Sequence, residues 1–439
     1  MFAYYVRIAL LGLKHQPVLS ALMVLAIGVG VATAMTALTV LQRLGADPIP
    51  HRSERLFALG VDNWNNDDPW GDVDGVPAAP DLMTYKDAMA LLEADRALRT
   101  VISYAVALTV QPEKEGLRPY ATSARATVPD FFPMFDLPFL HGGPWSEADE
   151  TGRARVVVLS KASNERLFGG ENSVGRRVRL SDQFYTVAGV LDDWTPRPRF
   201  YDLSTGAMND PEPFYVPFSL AVAEGFSVNG NTNCWESPGE GRASFLASEC
   251  IWLNGWVELP DDAAVAAYRD FLAGYVAEQQ QAGRAFKRAH LTAAVPLREW
   301  LRQRRVVPDD VRLFTVLGFA FLLVCLLNAG TLLLAKFLRR SGEIGLRRAV
   351  GASKRTLFAQ YLTESSVVGV FGAVVGILLT VGALAGVRSL SPQLSAVAIL
   401  DLPMLLTCVA IAIATSMLAG VYPAWRASNV APAAQLKTN

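Results

Sequence analysis

The sequence predicts a polytopic α-helical membrane protein, with four transmembrane helices and a large mixed α/β domain inserted between helices 1 and 2. Three observations predict it: four long stretches without charge, one long segment that holds nearly all the acid, and basic residues gathered at the other ends of the stretches. The chain has 439 residues, of which 51% are hydrophobic and 18% charged. That charged share is below the roughly 25% of soluble domains. The 40 basic and 41 acidic residues balance, which excludes a basic nucleic-acid binder. The apolar content excludes a disordered chain.

The stretches Val18–Leu41 and Leu402–Trp425 run 24 residues each without a formal charge, and Leu313–Ala335 and Ser365–Val387 run 23 each. At 1.5 Å per residue about 20 residues cross the hydrocarbon of a bilayer. Helices of soluble proteins usually run about 8–20 residues, so a soluble core has little use for four such stretches. The first is longer than the roughly 7–15 apolar residues of a cleaved signal peptide, which favours a retained span. Gly372 and Gly376 form a G-x-x-x-G pair in the third. The pair reads either as a site of close helix approach or as the ordinary glycine enrichment of membrane helices.

In chain order the sequence divides as follows. Residues 1–17 form an amphipathic helix, with Phe2, Tyr5, Val6, Ala9, Leu10 and Leu13 on one face and Arg7 and Lys14 off it. A plain extension of the first span is the other reading. Helix 1 takes 18–41, and the inserted domain 42–310. Helix 2 takes 311–337, a loop 338–360, helix 3 361–387, a short external loop 388–401, helix 4 402–425, and a tail 426–439. Seven Lys/Arg and the single acid Glu343 lie between Lys336 and Arg355. The 269 residues of 42–310 carry 27 basic and 38 acidic side chains. The positive-inside rule therefore puts both termini and the 338–360 loop in the cytoplasm and the inserted domain outside it.

Within the inserted domain, a helix starts near Pro80 with Asp81 as its cap. Strands are expected at Val101–Val110, Arg155–Leu159, Arg177–Leu180, Phe184–Val190 and Trp252–Leu259, with Phe214–Val216 as an edge strand between prolines. A helix follows Arg155–Leu159 and stops at Gly169-Gly170, and another covers Asp262–Gln280. These groups suggest two lobes, divided near 125–135 and rejoined near 250. Cys234 and Cys250 both fall in this exported segment, where oxidising conditions permit a disulfide that would hold a polar hairpin. Two buried thiols are the alternative.

No catalytic pattern emerges. The acids Asp67, Asp68, Asp72 and Asp74 lack the spacing of a calcium loop and read as a solvated loop. His15, His51, His141 and His290 stand apart, and no metal ligand set is expected. The sequence contains no G-x-x-x-x-G-K-[ST] phosphate loop, so ATP hydrolysis is expected of another chain and no cofactor of this one. Glu364 and Asp401 fall at span ends, where snorkelling or capping is the ordinary explanation.

The loop after helix 2 is the most informative segment. It reads Glu343-Ile344-Gly345-Leu346-Arg347-Arg348-Ala349-Val350-Gly351-Ala352-Ser353. A positive flank needs only basic charge. This loop adds an acid, glycines and apolar residues in a helical frame that could dock into a partner's groove. The string closely resembles the signature of the FtsX-like permease domain found in MacB-type ABC transporters. Gly420-Val421-Tyr422-Pro423-Ala424-Trp425-Arg426-Ala427 resembles that domain's ending. Val156–Ser160, Arg166–Gly170, Val174–Val178 and Tyr185–Val190 resemble the MacB-type periplasmic core domain. Gly12-Leu13 and Ala26–Val31 resemble its N-terminal anchor.

The resemblance implies a type VII ABC transporter architecture in a bacterial inner membrane. It implies a coupling helix that contacts separate ATPase subunits, which bind ATP and Mg. Glu343, Arg347 and Arg348 would make polar contacts, Ile344 would dock, and Gly345 and Gly351 would permit close approach. It also implies pairing as a homodimer or with a paralogous permease, and in some members a periplasmic adaptor and outer-membrane channel. The expected activity is efflux of small toxic compounds or peptides by mechanotransmission. Activation of a cell-wall hydrolase and release of lipoproteins are the other activities of the superfamily. The Trp- and Asp-rich stretch 60–80 and the Cys234–Cys250 loop are not part of the pattern.

Overall fold

The computed structural model describes residues 2–73, 76–112, 116, 118–390 and 400–429. Asp74, most of the 388–401 loop and residues 430–439 of the tail lie outside the described residues. The chain opens with α1 (Phe2–His15) and α2 (Pro17–Leu44). The inserted domain follows with β1 (Leu56–Gly60), β2 (Asp72–Val73), β3 (Val76–Pro77), β4 (Met83–Thr84), α3 (Tyr85–Glu93), β5 (Arg99–Gln111), β6 (Tyr120–Thr127), α4 (Phe131–Met134) and β7 (Phe139–Gly142). It continues through α5 (Glu147–Thr151), β8 (Val156–Leu159), α6 (Lys161–Phe168), β9 (Arg177–Leu180), β10 (Gln183–Leu191), β11 (Phe214–Pro217), α7 (Phe218–Glu224) and α8 (Arg242–Ala247). It ends with β12 (Ile251–Glu258), α9 (Asp262–Gln281), β13 (Ala293–Pro296) and α10 (Leu297–Gln303). The chain then runs through α11 (Asp309–Arg339), α12 (Ser341–Ala349), α13 (Lys354–Leu390) and α14 (Leu402–Ser428). Two compact units result, one of residues 1–45 with 307–439 and one of residues 46–306.

In the helical unit α2, α11, α13 and α14 are long and apolar enough to cross a membrane. Met23, Ile27, Val31 and Ala34 recur on one face of α2 and are fully buried, while Val18, Leu22 and Leu25 remain at least half exposed. Leu313, Phe314, Val316 and Leu317 of α11 are likewise exposed. A contiguous apolar exterior of this size suits a lipid-facing surface. The glycines set the closest approach: a Cβ on Gly372 would lie 2.8 Å from the Ile27 side chain, and one on Gly28 2.7 Å from Val375. Close packing of α13 on α2 is thus the reason for these glycines. Gln16 breaks the helix before Pro17, so α1 is a helix in its own right and packs against α13.

The inserted domain is built on an 11-stranded sheet with β13-β1-β12-β5-β6-β11-β8-β10-β7 side by side, β4 pairing with β12, and β9 pairing with both β10 and β5. The expected division near 125–135 is bridged, because β6 pairs antiparallel with β5 and parallel with β11. The strands of both expected lobes share one sheet. Phe214–Val216 is not an edge: β11 lies between β6 and β8 and all four of its residues are buried. Its flanking prolines mark where the strand begins and ends. The helix expected from Asp81 starts later, because Thr84 is the cap and its side chain accepts from the Asp87 N–H. Helix α6 stops as expected at Gly169, which adopts φ +71°. An aromatic core of Phe131, Phe132, Phe135, Tyr201, Tyr215 and Trp256 packs mostly edge to face behind the sheet.

Candidate functional site

The segment singled out in the sequence forms α12. Glu343 lies in its first turn and Arg347 and Arg348 in its last, the arrangement that the helix dipole favours. Arg347 spans one turn to pair with Glu343 at 2.6 Å and donates to the Gln360 side chain on α13 at 3.2 Å. Ile344 is only 1% exposed and packs among Phe337, Leu357 and Tyr361 of its own unit. It seats α12 on the bundle, whereas Leu346 and Val350 are 66% and 82% exposed. Gly345 is buried beside Ile344. Gly351 adopts φ +106° with no atom within 4 Å of where a Cβ would stand. Its positive φ is what the turn between α12 and α13 requires. Arg348 is half-buried in the last turn.

Behind α12 lies a polar cluster that the charge-gap reading did not find. Glu364, next to the apolar run of α13, does not reach outward: it is 1% exposed and pairs at 2.7 Å with Lys336 of α11, which is fully buried. Arg340, at the start of α12, approaches the same carboxylate at 3.8 Å and donates to the Gly12 carbonyl of α1. The Phe337 and Tyr361 rings lie against each other beside it, with centroids 4.4 Å apart. Membership of Lys336 in the basic flank hid this pair. The signal that could have found it is Glu364 as a lone acid next to an apolar run. Asp401 does cap α14, accepting from the Met404 N–H, and it pairs with Arg43. On the exposed side of α2, α11 and α13 an apolar groove of about 880 Å³ is lined by Thr33, Ala37, Phe314, Gly318 and Leu379.

The inserted domain carries two charge networks. Arg125, wholly buried on β6, pairs with Asp202 at 2.6 Å and with Glu212, which Arg199 and the Tyr201 hydroxyl also reach. Burial alone would raise the Asp202 carboxyl, but Arg125 beside it holds it down to about 2. The second network surrounds the cysteines. Cys234 and Cys250 are joined in a disulfide at the start of β12. The neighbouring Glu249 accepts from Asn63, Lys86 and Arg284, and Arg284 also pairs with Asp87 at 2.6 Å. Against the effect of burial, these donors hold Glu249 down to about 2. Arg288 clamps the start of the Trp-rich stretch through Asp62 and the carbonyls of Trp64, Asn65 and Asn66. The Trp-rich stretch and the Cys234–Cys250 loop are thus fastened to the domain by the arginines that follow α9. Among the described residues, no group of three or more His, Cys, Asp and Glu is placed to hold a metal.

Residues 20–273 match the model of the MacB-like periplasmic core domain, and residues 315–432 that of the FtsX-like permease C-terminal domain. The macrolide export ATP-binding/permease protein MacB of Syntrophobacter fumaroxidans is 24% identical over 345 residues, covering 71% of this chain and 46% of that protein. The pyoverdine export ATP-binding/permease protein PvdT of Pseudomonas entomophila is 24% identical over 352 residues, covering 80% and 48%. The chain spans about half the length of these curated relatives. The crystal structure of the periplasmic region of MacB from Actinobacillus actinomycetemcomitans aligns over 54% of this chain and 88% of that one, at 15% identity and a TM-score of 0.33.

Proposed function

The chain belongs to the family of ABC-transporter permeases that join a MacB-like periplasmic core domain to an FtsX-like permease domain, and from that premise we propose that it works by mechanotransmission. A separate ATPase, binding ATP and Mg, docks on α12, and its closure on nucleotide shifts the helices and through them the periplasmic domain. The cargo is a small toxic compound or peptide moved outside the membrane. The termini and α12 face the cytoplasm of a bacterial inner membrane, as the basic flanks require. The chain works as a pair, with itself or with a paralogous permease, and an adaptor and outer-membrane channel complete the path.

One observation carries this reading. Helix α12 and its C-cap present Leu346 and Val350 outward while Ile344 and the Arg347–Gln360 bond fasten the helix to the bundle. An exposed apolar tip on a fixed helix suits a partner's groove. The test is purification of the full-length chain in mild detergent with mass spectrometry of what stays bound. Recovery of an ATPase, lost on Leu346→Glu with Val350→Glu, is the expected result. Absence of any ATPase across several detergents and with trapped nucleotide overturns the reading. A co-purifying wall hydrolase would move the assignment to the regulatory branch. The apolar groove beside Phe314 favours one second reading, release of a lipid-modified cargo. Photo-cross-linking from Phe314 to an acyl chain would support it, and capture of none would remove it.

A further inference from the structure

We propose that Glu364 is a positioning residue that makes α13, α11 and α1 follow α12. This rests on the reading that α12 meets a nucleotide-hydrolysing partner. Gln360 and Glu364 lie one turn apart on α13 and so share a face. Gln360 takes the hydrogen bond of Arg347 from near the end of α12, and Glu364 faces Arg340 at its start. Both ends of α12 are therefore tied to one face of α13.

Glu364 then passes the connection on. Its ion pair with Lys336 holds α11, and Arg340 holds α1 through the Gly12 carbonyl. The fit at Gly12 is tight: a Cβ there would stand 2.9 Å from the Glu364 Oε1 and 3.2 Å from the Arg340 Nη1. Apolar helix faces can slide past one another with little penalty, whereas a buried carboxylate is held to its cation. Stability alone does not explain such a pair. Well-packed apolar replacements of buried ion pairs are often neutral or stabilising, and fixing register is the best attested use. An ionisable pair among membrane helices is a functional feature by default.

The experiment uses the full-length chain purified with its ATPase. Hydrogen–deuterium exchange of residues 46–306 is measured with and without Mg-ATP and vanadate. In the wild type the trapped nucleotide is expected to change exchange in the periplasmic domain. The double variant Lys336→Met with Glu364→Leu is expected to fold and to retain the ATPase, yet to lose at least tenfold of that response. Glu364→Asp, which keeps the charge, is expected to restore part of it. Wild-type transmission in the double variant overturns the proposal. Should the double variant fail to accumulate, Gly12→Ala carries the test, since it crowds Glu364 and Arg340 without removing a charge. A weakened response is then expected, and an unchanged one overturns the proposal. Failure of the wild type to retain an ATPase defeats both the functional reading and this one. Retention of the ATPase with intact transmission in the variants defeats the positioning role alone.

Discussion

The periplasmic domain surrounds its buried carboxylates with donors, whereas the helical unit leaves Glu364 between one close lysine and one more distant arginine. Glu212 is reached by Arg125, Arg199 and Tyr201, and Glu249 by Asn63, Lys86 and Arg284. Lys336 stands 2.7 Å from Glu364 and Arg340 3.8 Å. A carboxylate satisfied from several sides has one arrangement and fixes a fold. Glu364, with one near cation and one farther, is fixed by fewer contacts. Under the proposed mechanism, the same chemistry serves rigidity in one unit and transmission in the other.

The sharpest way to break this comparison is to remove Arg125. Arg125→Met strands Asp202 and Glu212, both at most 3% exposed, without their central cation. Leaving buried charge unpaired costs about 3–5 kcal/mol. Urea unfolding of the full-length protein in detergent, followed by tryptophan fluorescence, reads this directly, because eight of the nine tryptophans lie between Trp64 and Trp300. A loss below about 1 kcal/mol would show that the cluster is tolerant and the contrast false. Next comes the disulfide. Cys234 and Cys250 are 16 residues apart, and closing a loop of that size stabilises by about 3 kcal/mol. Cys234→Ser with Cys250→Ser is expected to lose about that much. Reductant should destabilise the wild type and leave the double variant unchanged.

Acid offers a subtler probe. Asp202 is held at about 2 against an ordinary aspartate value of 3.8. A carboxyl lowered on folding stabilises the fold above its unfolded value, and that stabilisation disappears as pH falls through the folded value. About 2 kcal/mol is therefore expected to be present at pH 5 and lost progressively toward pH 2. Glu249 acts in the same direction. Arg125→Met should flatten this dependence, and an equal slope in both proteins would rule out Asp202 as its source.

How much of this was legible in the sequence follows from which forces are local. The four membrane helices were visible because lipid demands about 20 consecutive apolar residues, a requirement written within one segment. The mixed α/β character of the inserted domain was visible for similar reasons, as at Val156–Leu159 followed by a helix that Gly169 ends. Strand order was not. Nothing near Phe214 says that its strand, β11, pairs with Arg125–Thr127 and Val158–Leu159, and its prolines argued for an edge. The charge partners were hidden for the same reason: Glu249 and Arg284, or Lys336 and Glu364, meet only after the chain has folded.

Helix α12 and its C-terminal cap Val350 show that limit within a single short segment. The sequence reading singles out Ile344 from Leu346 and Val350 as the residue that docks, yet Ile344 is buried and the other two are exposed. The two kinds of position should respond oppositely. Ile344→Ala removes a buried side chain from the core it shares with Leu357 and Tyr361 and is expected to cost about 2 kcal/mol in the stability of the helical unit. Leu346→Ala touches no packed neighbour and should shift stability by less than about 0.5 kcal/mol, while lowering recovery of the ATPase severalfold. Thermal aggregation in detergent and quantitative pull-down separate the two. If Leu346→Ala destabilises the bundle, the exposed tip is part of the fold; if it leaves ATPase recovery unchanged, the partner meets the helix on another face. Only an undisturbed bundle with a weakened partner identifies Leu346 as a contact rather than a prop.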